Sequence, residues 1–97
     1  MEGDIMAFEE IAVNGNVTAL NSDIYAPADG AQGAKAVITV EGGDMRYRLD
    51  GQDPTIDSGH LLRDGAVLEL KSIYSIRKFR VINTTETAGK LSVSYES

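Results

Sequence analysis

The segment KLSVSY alternates Leu91, Val93 and Tyr95 with Lys90, Ser92 and Ser94. A two-residue period of this kind puts one set of side chains on each face of an extended chain, so it predicts a half-buried β-strand. The same period recurs in AKAVITV, where Ala36, Ile38 and Val40 share a face, and in MRYRL, where Met45, Tyr47 and Leu49 do. IRKFRVI follows it with Phe79 and Val81 inward. No segment of ten or more residues carries a helical apolar stripe. The chain is therefore expected to be all-β: one domain, built as a two-layer antiparallel β-sandwich or small Greek-key barrel.

Turn chemistry punctuates the strands. Glu41-Gly42-Gly43-Asp44 predicts a hairpin between residues 36–40 and 45–49, and Asp64-Gly65 a second one between Leu61-Leu62 and residues 67–70. Before residue 35, EEIAV and VTAL read as short strands around Asn14-Gly15, APADGAQGAK as a loop, and residues 1–7 as a helical turn or a mobile arm. Residues 1–34 thus form an acidic N-terminal segment, an arm or edge strands, attached to a sandwich core over 35–97.

The formal net charge is −6, and its placement narrows the choice of partners. Residues 1–34 hold Glu2, Asp4, Glu9, Glu10, Asp23 and Asp29 with no Lys or Arg, while residues 35–97 balance nine acids with nine bases. An acidic chain is poorly suited to sequence-independent nucleic-acid binding, which draws its affinity from neutralising phosphates. The acidic third reads as a solubility feature or as a segment that meets a basic surface on a neighbouring subunit or partner. With 97 residues and no cysteine, stability must come from packing, helped by neighbouring copies, and thiolate metal sites are excluded. No apolar run approaches the ~20 residues of a membrane helix, and the N-terminus lacks a secretion signal, so the expectation is a soluble, unprocessed protein. On that footing the sequons at Asn16 and Asn83 read as chance.

The stretch MRYRLDGQDPTIDSGHLL, residues 45–62, crowds polar groups behind a strand. Each has a role in turning the chain. Asp50-Gly51 ends the strand, Pro54 withholds an N–H and keeps Asp53 extended, Thr55, Asp57 and Ser58 can bond nearby backbone, and Gly59 can turn left-handed before Leu61. Asp50, Gly51, Asp53, Pro54, Thr55 and Gly59 are accordingly assigned to structure. The rival readings are weaker. Asp50, Asp53 and Asp57 lack the spacing of a calcium loop. His60, the one histidine, has no second His or Cys to complete a zinc site, and a nucleophilic triad would have to run through it alone. Glu9 and Glu10 point to opposite faces if extended, and Gly42-Gly43 is too short for a phosphate loop. No cofactor, metal or catalytic residue is assigned, and the protein is expected not to be an enzyme.

If Met45, Tyr47, Phe79 and Val81 face inward, Arg46, Arg48, Lys78 and Arg80 face outward, and a shared sheet would gather them into one cationic stripe. That stripe is either a solvated face with neighbouring acids or a docking surface for acidic groups of another protein. Individual exposed pairs contribute only ~0.2–1 kcal/mol, so affinity would need many copies or an apolar contact.

From AVITVEGGDMRYRLDGQDPTIDSGHLL to GAVLELKSIYSIRKFRVINTTETAGKLSVSYE, the sequence resembles a family of small structural proteins of tailed bacteriophages and prophages. The resemblance rests on Arg46-Tyr47-Arg48-Leu49-Asp50-Gly51, Asp53-Pro54-Thr55, Gly59-His60-Leu61-Leu62, Gly65 with Leu68 and Leu70, Phe79-Arg80-Val81-Ile82, and Leu91-Val93-Tyr95, in that order. It covers residues 36–96 and leaves the first third unassigned. It implies a non-enzymatic virion component made in the host cytoplasm: a head decoration (cement) protein bound to the phage coat protein, multimeric, with no membrane or nucleic-acid partner. A tail accessory protein is a further possibility. YRLDGQDPT is also similar to a ten-residue stretch of immunoglobulin-like modules of carbohydrate-active enzymes, which implies a glycan-binding or spacer role. The absence of Trp and the core-facing Tyr and Phe positions leave no aromatic platform for a sugar.

Overall fold

The computed structural model describes residues 5–26 and 33–96. Eight strands and two short helices follow one another: β1 (Ile5–Val13), β2 (Thr18–Ala19), α1 (Ser22–Tyr25), β3 (Lys35–Glu41), β4 (Met45–Arg48), β5 (His60–Leu62), β6 (Val67–Leu70), α2 (Ile73–Lys78), β7 (Arg80–Asn83) and β8 (Gly89–Glu96). They form two four-stranded antiparallel sheets, ordered β1-β8-β3-β6 and β2-β7-β4-β5. Two such sheets with the backbone passing between them make an eight-stranded jelly roll, so the all-β, two-layer expectation holds.

The period-two pattern translates directly into layers. Along β8, Leu91, Val93 and Tyr95 are fully buried while their neighbours are half-exposed. Opposite them in β3 stand Val40, Ile38 and Ala36, also buried, and Ile38 and Ala36 in turn face Leu68 and Leu70 of β6. The second sheet contributes Met45, Leu62 and Val81, and Phe79 enters from the end of α2. Tyr95, Phe79, Ile38, Met45, Leu70, Ile76 and Leu91 together fill the interior between the sheets. Each apolar side chain buried in this way contributes roughly 1.5–3 kcal/mol.

Both expected hairpins are corrected by the topology. β3 pairs with β6 on one edge and β8 on the other, so no edge is left for β4, and residues 41–44 instead lead into the second sheet. Gly42 and Gly43, both at positive φ, make this corner. A Cβ at Gly42 would sit 3.1 Å from the Ala88 carbonyl oxygen. Asp64-Gly65 likewise joins β5 of the second sheet to β6 of the first. Among the described residues, the consecutive strands that share a ladder are β4 and β5, joined by residues 49–59.

The N-terminal third belongs to both sheets. From Ile5 the backbone is strand, not helical turn or arm, and β1 pairs with β8 down to Val13↔Gly89 with a bulge between Ile5 and Ala7. β1 is longer than the short strand expected, and Asn14-Gly15 leads on to β2, which pairs with β7. Residues 1–4 and most of the loop read from APADGAQGAK lie outside the described residues.

Four short corners meet at one end of the barrel, and two polar side chains clamp them. The Asp44 carbonyl accepts from the Thr84 N–H at 3.1 Å and its hydroxyl at 2.9 Å, and the Asp44 carboxylate accepts from the Asp64 N–H at 2.9 Å. Buried Asn83 accepts from the Gly15 N–H at 2.7 Å and donates to the Thr85 and Thr87 carbonyls at 2.9 and 3.3 Å. The opposite end carries the longer connections, among them residues 49–59 and α2.

Candidate functional site

The longer-loop end and the adjoining outer face of the second sheet hold the residues singled out in the sequence. Arg46 and Arg48 alternate with Met45 and Tyr47 along β4 and point outward. Register places Arg48 directly opposite Arg80, and Arg46 between Ile82 of β7 and Leu61 of β5. Leu61 is 42 % exposed and Ala19 lies beside Arg80. The face is thus three arginines interleaved with apolar side chains.

Lys78 does not join this strand row. Residues 76–78, expected as the start of the strand IRKFRVI, instead complete helix α2, which begins at Ile73 in the stretch expected as loop. Ser72, extended at φ −148°, caps it by accepting from the Ser75 N–H at 3.2 Å, and Ile76 buries against the core. Phe79 returns to extended geometry and ends the helix. The exposed Lys78 side chain therefore stands on the rim of the face, while its carbonyl accepts from the Gly51 N–H at 3.2 Å and ties α2 to the 49–59 loop. The missed signal is local: Ser72 three residues before Ser75, with Ile73 and Ile76 at helical spacing.

The arginines differ in their surroundings. Arg48 donates from Nε to Asp50 Oδ1 at 3.0 Å and from Nη2 to Oδ2, a two-pronged ion pair. Asp50 also accepts from the Gln52 N–H at 3.1 Å. The bond to Arg48 and then that to Gln52 hold the Asp50 carboxyl below its ordinary range, and the Asp50 bond holds the Arg48 guanidinium above its own. Arg80 Nη1 donates to the Arg77 and Phe79 carbonyls at 2.9 and 2.8 Å. Arg46 Nη1 donates to the Gly59 carbonyl at 3.0 Å, and its buried Nε has no partner among the described residues.

The polar stretch behind β4 works as a corner. Pro54 is fully buried, Thr55 and Ser58 exchange backbone hydrogen bonds of 2.9 and 3.2 Å, and the Asp57 N–H donates to the Thr55 hydroxyl at 3.2 Å. Gly59, at φ 126°, packs so closely that a Cβ would lie 3.2 Å from Pro54 Cβ and 3.1 Å from the Tyr47 carbonyl oxygen. Asp53 is exposed. Asp50, Asp53 and Asp57 do not converge: among the described residues no three acidic or histidine side chains cluster as metal ligands. His60 opens β5 exposed to solvent, its ring 5.3 Å from Tyr47, which stacks inward on Phe79 at 5.8 Å. His60 also lines an open surface depression of about 590 Å³ with Arg48, Leu49, Asp50, Ser58 and Gly59.

Glu9 and Glu10 do part to opposite faces. Glu9 Oε2 accepts from the Tyr95 hydroxyl and from the Asn21 N–H at 3.2 Å, whereas Glu10 pairs outside with Lys90 at 3.2 Å.

No protein-family model matches the sequence, and no curated protein matches it. Among solved structures it is similar to a de novo designed double-stranded β-helix determined by solution NMR, at 15 % identity, with a TM-score of 0.58, over 94 % of this protein and 100 % of that one. The likeness is one of fold. A double-stranded β-helix is the architecture that the strand order describes, and it differs from the strand order of immunoglobulin domains.

Proposed function

We propose that the protein is a non-enzymatic structural component of a tailed-phage virion. In this reading it is a head decoration protein, made in the host cytoplasm, that grips the coat surface through the outer face of the second sheet. The observation that carries the reading is the register Arg48↔Arg80 with Arg46 alongside, on a protein of net charge −6. Like charges placed directly opposite in a ladder cost stability rather than contribute it. Arg48 is offset by its ion pair with Asp50, whereas the Arg46 and Arg80 guanidiniums bond backbone carbonyls and keep their charge for an anionic partner. Leu61 and Ile82, which flank Arg46 on either side, supply apolar contact that charge pairs alone lack. The filled interior supports a role carried by outer surfaces. The phage-type resemblance supplies the virion context, and weak contacts of this kind add up when many copies, or a homo-oligomer, engage a lattice together.

The test is co-sedimentation of the purified protein with phage heads that lack it, at low and high salt. Wild type should bind, with affinity falling as salt rises. The Arg48→Ser/Arg80→Ser variant should bind more weakly while its unfolding free energy shifts by less than about 1 kcal/mol. Unaltered binding by that variant overturns the assignment of the face. Binding to tails but not heads moves the protein to the tail accessory role.

A further inference from the structure

Asn-Gly is the peptide step most open to spontaneous conversion, because glycine leaves its nitrogen unhindered beside the asparagine side chain. In that reaction the Gly nitrogen loses its proton and attacks Asn Cγ. A new bond from that nitrogen to Cγ closes a succinimide, and the Cγ–Nδ2 bond breaks to release ammonia. Water then opens the ring at either carbonyl, giving aspartate or isoaspartate.

Asn14-Gly15 is such a step, at the corner between β1 and β2, with Asn14 exposed. Its nucleophile is occupied. The Gly15 N–H donates to Oδ1 of Asn83 at 2.7 Å, and Asn83 is 5 % exposed and held by the Thr85 and Thr87 carbonyls. The two Asp-Gly steps among the described residues share the feature: Gly51 N–H donates to the Lys78 carbonyl and Gly65 N–H to the Val40 carbonyl at 2.8 Å. All three glycine nitrogens are engaged by partners distant in sequence.

We propose that Asn14 is a latent modification site, convertible by water to aspartate or isoaspartate, and that the buried Asn83 keeps it closed by holding the Gly15 N–H. Conversion then requires this end of the barrel to open first. An isoaspartate at position 14 lengthens the backbone by one carbon and pulls Gly15 away from Asn83, so the product cannot reclose the clamp. The site records opening of the β1–β2 corner as a permanent chemical mark. The inference is independent of the docking reading.

The experiment ages the purified protein, its Asn83→Ala and Asn83→Asp variants and a peptide of residues 10–18 at mildly alkaline pH, and follows aspartate and isoaspartate at position 14 by peptide mapping. Amide exchange at Gly15 is measured in parallel. Wild type should convert more slowly than the peptide by roughly tenfold or more, and its Gly15 amide should exchange slowly. Asn83→Ala should approach the peptide rate, while Asn83→Asp, which keeps an acceptor for Gly15 but loses the two bonds to the Thr85 and Thr87 carbonyls, should fall between Asn83→Ala and wild type. Equal rates in folded wild type and folded Asn83→Ala overturn the proposal. Should Asn83→Ala fail to fold, the wild-type amide decides: free exchange at Gly15 overturns the proposal, and protection together with slow conversion upholds it.

Discussion

The Tyr95 hydroxyl donates to the Glu9 carboxylate and ties the last strand to the first on the inner side of their shared sheet. Burial, and then the bond to Glu9, push the Tyr95 phenol above its ordinary value of 10.0. The folded state therefore holds a proton that the unfolded state releases near pH 10. The stability this contributes is complete below that pH and is lost progressively as pH rises beyond it.

Tyr95→Phe removes the group. The variant should lose roughly 1.5–3 kcal/mol at neutral pH, since a bond to a charged acceptor is at stake. Its unfolding free energy should then fall less steeply than that of wild type above about pH 10. Urea titrations across the alkaline range compare the slopes, and identical slopes would detach Tyr95 from alkaline unfolding.

Gly89 sits where β8 leaves its corner, and a Cβ there would collide with Met45 Cε and lie 3.1 Å from the Glu41 carbonyl oxygen. Gly89→Ala should cost about 1–3 kcal/mol by overpacking. Shortening Met45 to Ala is destabilising alone but should recover part of that cost in the double variant, so a double-mutant cycle should show coupling. Strict additivity would mean that the backbone contact with Glu41 decides.

Arg46 buries an unpartnered Nε while its Nη1 serves the Gly59 carbonyl. Arg46→Met keeps an unbranched stem and removes the buried polar atom, so thermal unfolding should show a change within about 1 kcal/mol of wild type, of either sign. Losing much more would assign the bond to Gly59 a dominant role in holding the 49–59 loop.

Ser72→Ala deletes the cap of α2 and should cost about 1 kcal/mol, with Ser72→Asp restoring most of it. Denaturant midpoints measure both. Because α2 leads directly into Arg80, the uncapped variant should also show faster amide exchange at residues 73–78.

Pro54, Gly59 and Asp50 were legible as corner residues, because proline geometry, positive φ and Asx hydrogen bonds are local. The arginine row was only partly legible. Alternation put Arg46, Arg48 and Arg80 outward, but extending the strand through residues 76–79 carried Lys78 with it, where a three-residue serine cap and two isoleucines wind a helix instead. The Asn83 and Asp44 clamps left no sequence trace, since each joins corners that lie far apart in the sequence.

What the sequence determined by itself was which side of each strand meets the core: a period of two in Leu91, Val93 and Tyr95 or in Ala36, Ile38 and Val40 leaves one face apolar whatever the strand's neighbours are. Which strands become neighbours was decided by the tertiary structure. A Gly-containing turn specifies that the backbone reverses, yet a hairpin and a sheet-to-sheet corner both satisfy it. The choice at Gly42-Gly43 fell to a corner because β6 and β8 already occupy both backbone edges of β3, and a ladder bonds equally well to a strand from any part of the sequence.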